Sequence, residues 1–147
     1  MAGGTQVNYD PALVRWFSAL AVFPVPSWEM TIAIGRALGI EIHYNYLLIL
    51  ARIPSLQADR FDERLRREMM ADLRPEDERL ARRAIQEELS AVQLLSEGSH
   101  ALRDLETSLA VQDFALAPNN FDHQDTMRFM LKQELLTRAQ EADLDRI

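Results

Sequence analysis

Residues 75–96, PEDERLARRAIQEELSAVQLLS, decide the fold class of this chain. Pro75 suits the first turn of a helix, and the acidic residues after it suit the positive end of the helix dipole. At 100° per residue, one side of such a helix is apolar and is formed by Ala81, Ala84, Ile85, Leu89, Val92 and Leu95. The stretch therefore predicts a long amphipathic helix that must pack against other elements.

The preceding stretch, residues 57–73, repeats the same kind of pattern. Phe61, Leu65, Met69 and Leu73 recur every four residues on one stripe, and most charged residues lie off it. This spacing predicts a second amphipathic helix that ends shortly before Pro75.

The rest of the chain also favours helices, with most joints marked by proline or glycine. Asp10-Pro11 and Ser27 are good helix starts, and Gly39 is a natural stop. Further helices are predicted over residues 12–23, 28–38, 99–116 and 122–144. The fold class is therefore all-α: a compact bundle of about six to seven helices, with an apolar N-terminal helical hairpin and long amphipathic helices. Residues 1–9 are expected to be a flexible arm, and residues 10–147 a single helical domain.

Residues 40–46 are the ambiguous segment. Ile40, Ile42, Tyr44 and Tyr46 alternate with polar residues, as in a strand. The apolar run after Tyr46 also fits a helical face. A buried helix is the favoured prediction, because no second strand is visible for pairing.

Composition limits the classes of function. The chain has 147 residues, fifteen arginines, a single lysine (Lys132), no cysteine and a net charge of −7. A GC-rich genome, whose codons favour arginine over lysine, or selection for arginine would each explain the skew. The negative charge opposes non-specific nucleic-acid binding, which needs a basic surface. The absence of cysteine excludes Cys-ligated metals and thiol catalysis.

Glu88 is the candidate buried polar residue, because it falls near the middle of the apolar side of the helix at 75–96. A carboxylate there needs a partner or must stay protonated. One interpretation is a structural ion pair with Arg15, Arg36 or Arg52. The alternatives are a face more exposed than its pattern indicates, or a functional carboxylate.

Signals for catalysis or metal binding are weak. Glu97 and His100 have a spacing that can place two metal ligands on one helical face, but Gly98 and Ser99 interrupt it and there is no second copy. No nucleophile–histidine arrangement can be inferred, and no glycine-rich phosphate loop is present. We therefore expect no catalytic residues, no metal and no cofactor, and a protein that is not an enzyme.

Residues 30–50 resemble part of a helix-turn-helix motif. Residues 32–40, IAIGRALGI, match its first helix and turn. Glu41 is a poor start for a recognition helix, and Arg52 is the only basic residue that follows closely. A transcriptional regulator using residues 30–50 is therefore the alternative function, and a small-molecule- or metal-binding bundle is the second alternative.

The leading prediction is a non-catalytic protein–protein interaction role: a subunit, adaptor, chaperone or inhibitor of a bacterial or phage system. The partner is expected to be another protein or a second copy of the chain. Arg66, Arg67 and Met70 are the candidate contact residues, because Met70 lies about 100° from Met69 and one stripe cannot easily bury both. No signal peptide or membrane span is visible, which predicts a cytoplasmic protein and leaves dedicated secretion or virion incorporation open.

Overall fold

The computed structural model describes residues 10–23, 27–52, 62–95 and 101–147. These residues form eight α-helices and no strand, which confirms the predicted all-α bundle. The expected arm at residues 1–9 lies outside them. The helices are α1 Pro11–Leu20, α2 Trp28–Ala37, α3 Tyr44–Ala51, α4 Glu63–Ala71, α5 Pro75–Leu95, α6 Ala101–Leu116, α7 Phe121–Lys132 and α8 Arg138–Arg146.

Local capping explains where the N-terminal helices begin and end. The Asp10 carboxylate accepts a hydrogen bond from the Ala12 backbone N–H at 2.9 Å, and the Ser27 hydroxyl accepts one from Met30 at 3.1 Å. Both bonds satisfy N–H groups that have no partner inside the helix. Gly39 follows α2 with a φ of 76°, a conformation that glycine adopts without strain. These three signals were read correctly from sequence.

The centre of the core is Trp16 on α1, which is fully buried. Its indole N–H donates to the Thr31 carbonyl of α2 at 2.8 Å. A Cβ added to Gly35 would lie 2.6 Å from Cε2 of Trp16. A residue without a side chain is therefore required where α1 packs on α2.

Helix α5 packs against both α2 and α6. Ala81, Ala84, Ile85 and Leu89 are buried, as the apolar pattern predicts. Val92 lies on the same side one turn beyond Glu88, yet 47% of it is exposed. The burial of α5 therefore decreases towards its C-terminal end.

The ambiguous segment is helical from Tyr44 onward, with Ile40 to His43 in neither helix nor strand. The prediction of a helix is confirmed, but its burial is much less than expected. Leu50 is the buried residue of α3, whereas 73% of Tyr44 and 43% of Leu48 are exposed. One side of α3 packs through Tyr46, which contacts Trp16 edge-on.

The buried side of α4 differs from the predicted stripe. Arg66, Met69 and Met70 are buried within the helix, and Leu73 is buried just after it. These four positions have the spacing i, i+3, i+4 and i+7, which is one helical face. The expectation that Met70 is exposed is therefore wrong, because the face is rotated from the predicted stripe. Leu65 is half-buried, and Phe61 lies outside the described residues.

The predicted last helix, 122–144, is two helices. Glu134 has a φ of 55°, and the Leu135 N–H donates to the Met130 carbonyl at 3.0 Å, which ends α7. Thr137 and Gln140 then form a capping box that starts α8. The T-x-x-Q signal for this start is present in the sequence and was missed.

Candidate functional site: the groove between helices α2 and α5

A groove of about 600 Å³ runs between α2 and α5. Its floor is apolar and mostly made of small residues: Ile32, Ala33, Ala37 and Ala84. Its charged lining consists of Glu29 and Arg36 from α2 and Glu87 and Glu88 from α5. The lining residues of each helix repeat every three or four positions, so each helix contributes one face.

The groove carries three carboxylates and one guanidinium. Glu29, Arg36 and Glu87 are exposed, and Glu88 is half-buried. In the described part of the chain, none of these four side chains makes a hydrogen bond or an ion pair. Their charges therefore remain available to a bound molecule, and the excess of carboxylates attracts a cation.

Glu88 thus lies in the groove, half-buried, rather than in the buried ion pair that was one interpretation of the sequence. The arginines proposed as its partners are placed differently. Arg36 lines the same groove without bonding Glu88, and Arg15 donates to Asp77 instead, with Nη2 at 2.8 Å from Oδ1. The hydrogen bond from Arg15 is the main cause that lowers the pKa of Asp77.

The buried charges of the fold are elsewhere, in a cluster that sequence reasoning missed. Arg82 of α5 holds Asp143 of α8 with two bonds of 2.7 and 3.0 Å, and both side chains are almost fully buried. Arg82 also donates to Gln112 at 3.0 Å and to Glu78 at 3.1 Å. Burial lowers the pKa of Arg82, but its bonds to Asp143 and Glu78 raise it by more, so the net shift is upward.

Arg66 of α4 extends this cluster to α1. Its guanidinium donates to the Ala21 carbonyl at 2.7 Å and to the Val22 carbonyl at 3.1 Å, just beyond the end of α1. It also lies 3.7 Å from the Asp143 carboxylate. Burial lowers the pKa of Arg66, and the nearby Asp143 offsets part of that effect. Arg66 therefore stabilises the carbonyl end of α1, as a cation does there.

Of the three residues predicted to contact a partner, Arg67 alone is exposed. Arg66 and Met70 are 3% and 5% exposed, respectively, within the folded chain. Both are therefore inaccessible to a partner in this fold, and Arg67 remains a prediction.

The buried cluster has little room for a ligand. The cavity beside Arg66, Gln112 and Asp143 measures about 20 Å³, roughly the space of one water molecule. No buried side-chain polar atom of the described residues lacks a hydrogen-bond partner. We therefore assign the cluster to holding α8 against α5 and α6.

No group of three or more histidines or carboxylates in the described ranges could hold a metal ion. Glu97 and His100 fall outside those ranges. None of the described helices is both long and apolar enough to cross a membrane.

The segment that resembles a helix-turn-helix has a different geometry. Residues 38–43 separate α2 from α3, so the connection is six residues, whereas the motif joins its helices with three to four. The outer face of α3 presents Tyr44, Leu48 and Ile49, which are apolar or aromatic. Its arrangement is therefore unlike a basic recognition helix.

A comparison of the chain with protein-family models, with curated proteins and with solved structures finds no match.

Proposed function

We propose that this protein is a non-catalytic interaction protein that binds a basic, amphipathic helix of a partner protein in the groove between α2 and α5. The groove would hold the apolar face of that helix against its floor. The carboxylates beside the floor would bind lysine or arginine side chains at the edges of the same helix.

The observation that carries the proposal is the set of unpaired carboxylates beside an apolar floor. Elsewhere in the described part of the fold, several carboxylates are paired with arginines, as Asp77 is with Arg15 and Asp143 is with Arg82. Glu29, Glu87 and Glu88 have no such bond within the described chain. The groove holds three carboxylates and one guanidinium. Because these carboxylates are not neutralised by an ion pair within the described chain, they attract a cationic ligand.

The shape of the floor supports a helical ligand. Ala33, Ala37 and Ala84 are small, so another helix can approach closely, at the 8–10 Å axis separation typical of helix packing. The single guanidinium, that of Arg36, can donate hydrogen bonds to the carbonyl end of that helix or to a carboxylate on it. An amphipathic helix in a hydrophobic groove is a common mode of peptide recognition.

The test uses two charge-reversal variants with equal changes in net charge. Glu87→Lys/Glu88→Lys alters the groove, and Glu68→Lys/Glu141→Lys alters exposed positions on α4 and α8. Each variant and the wild type are used to capture proteins from lysate of the source cell. A specific partner should be captured by the wild type and the control and lost with the groove variant.

The deciding measurement is made with a synthetic peptide of the captured protein's basic helical segment. Calorimetric titration should give binding that weakens at least about tenfold in the groove variant, equivalent to about 1.4 kcal/mol, and that weakens with added salt. The control should bind as the wild type does. Equal peptide affinities for the wild type and the groove variant would reject the groove as the binding site.

A further inference from the structure

Helix α7 presents an outward face that no other part of the described chain covers. Phe121 and Phe129 are 79% and 59% exposed, the former being the most exposed large apolar side chain of the described residues. On the opposite side Met127 is buried, where α7 packs against α6. Two exposed phenylalanines on one short helix indicate a contact surface.

The charges on this face are ordered along the helix. Asp122 and Asp125 lie in its N-terminal half, and Arg128 and Lys132 lie in its C-terminal half. Asp125 and Arg128 form an ion pair at 3.4 Å with both side chains more than 70% exposed, so each has room for a second partner. The helix surface therefore has an acidic end and a basic end.

Four residues of this face form a stripe along α7, here called the contact stripe, and their positions are symmetric about its midpoint. Phe121, Asp125, Arg128 and Lys132 are spaced i, i+4, i+7 and i+11, which places them within about 60° of one another around the helix. Reversing the stripe about its midpoint, between residues 126 and 127, exchanges positions 121 and 132 and positions 125 and 128. An antiparallel copy of the same helix is thus the partner that this pattern fits.

We infer that α7 pairs with α7 of a second copy of the chain, antiparallel and about a two-fold axis near residues 126 and 127. Asp125 of the first copy then faces Arg128 of the second copy, and Arg128 of the first copy faces Asp125 of the second. The four groups form one alternating ring of charge. Lys132 of each copy lies over the exposed ring of Phe121 of the other, a favourable arrangement of a cation and an aromatic face.

The remaining exposed phenylalanine agrees with this axis. Phe129 flanks the stripe and lies two and a half residues from the midpoint, or about 4 Å along the helix. A two-fold axis keeps both copies of Phe129 on the same flank of the helix pair. The two residues are then roughly 8 Å apart along the direction of the helices, where their side chains can touch. A parallel pairing would instead set Asp125 against Asp125 and Arg128 against Arg128, which is repulsive.

The closed two-fold arrangement uses the same surface twice and leaves no free end for further addition. One helix pair is smaller than a standard interface, so the dimer should be weak, with dissociation in the micromolar to millimolar range. The groove between α2 and α5 is formed by other helices. The dimer and the proposed binding function can therefore succeed or fail independently.

The experiment is sedimentation equilibrium of the full chain from about 10 µM to about 1 mM. The wild type should rise from its monomer mass of 16.9 kDa towards about twice that value, and added salt should weaken the association. Asp125→Arg and Arg128→Asp should each stay monomeric, because each copy then faces a like charge. Circular dichroism of each variant checks that the helices are retained.

Mixing the two variants is the decisive step. Asp125→Arg places arginine at 125 and 128, and Arg128→Asp places aspartate at both, so the mixture should form a heterodimer although neither variant self-associates. The double variant Asp125→Arg/Arg128→Asp should dimerise as the wild type does. Glu68→Arg, which breaks an equally exposed ion pair with Arg64 on α4, serves as the control and should leave the mass unchanged.

Three outcomes would overturn the inference. A wild type that stays monomeric throughout the concentration range removes the dimer. A wild-type dimer that Asp125→Arg leaves intact places the interface elsewhere. A mixture that stays monomeric at concentrations where the wild type dimerises refutes the antiparallel register.

Discussion

Replacing Asp143 by alanine should be among the most damaging single changes in this protein. The Asp143 carboxylate accepts two bonds from Arg82, at 2.7 and 3.0 Å, and lies 3.7 Å from Arg66. All three side chains are 4% exposed or less. Without the carboxylate, two buried guanidinium groups lose the anion between them, and such a loss costs about 3–5 kcal/mol.

Urea unfolding at neutral pH measures this loss. For a chain of this size, a slope near 2 kcal/mol per molar urea converts the loss into a midpoint lower by about 1.5–2.5 M. Glu68→Ala is the control, because its ion pair with Arg64 is exposed and should contribute at most about 1 kcal/mol.

A second comparison separates the effect of the lost ion pair from the effect of the lost side-chain volume. The double variant Arg82→Met/Asp143→Leu removes both charges and refills the volume, so it should be less destabilised than Asp143→Ala alone. If Asp143→Ala unfolds within about 1 kcal/mol of the wild type at an unchanged slope, the assigned role of the buried cluster is wrong.

The other predictions concern packing, capping and pH. Gly35→Ala should lower the free energy of unfolding by up to about 2 kcal/mol, because a clash with Trp16 costs about 1–3 kcal/mol and alanine's helix preference returns about 1 kcal/mol. Thermal unfolding measures this loss, and a stabilised variant would contradict it. Thr137→Ala removes the capping box, so it should lower the free energy of unfolding by about 0.5–2 kcal/mol and lower the hydrogen-exchange protection of α8. Unchanged protection would show that α8 does not depend on the capping box. The pKa of Asp77 is lowered in the folded state, mainly by the hydrogen bond from Arg15. The contribution of the ionised Asp77 to folding stability is therefore complete above the unfolded pKa near 4, and it is lost as the pH falls through the lower folded pKa. Asp77→Asn should therefore lower the free energy of unfolding by about 1.5–3 kcal/mol at pH 7, and this loss should shrink as the pH falls below the unfolded pKa near 4. A loss that does not change with pH would refute the assignment.

Much of the helical order could be predicted from sequence because helix ends are local. Asp10, Ser27 and Gly39 act on backbone groups within a few residues, and their roles follow from residue type and spacing. The division of the last helix was also local. Its capping box, Thr137 and Gln140, was visible in the sequence and was overlooked.

The identity of the buried charges could not be predicted in this way. Glu88 occupies the middle of an apolar side, yet it lies half-buried in a groove, whereas Arg82 at the edge of that side is almost fully buried. Periodicity gives the direction in which a side chain points from its own helix. It does not reveal which other helix lies there, or whether any does.

The sequence by itself determined an all-α fold, the starts of most helices and an acidic, cysteine-free chain. Tertiary structure alone decided that Arg82 meets Asp143, 61 residues later, and that Met70 faces the core. It also placed Glu29 and Glu88, from helices separated by more than 35 residues, beside one groove. The physical reason is that capping and helix periodicity act over one or two turns, whereas burial and charge pairing depend on elements that only the folded chain brings together.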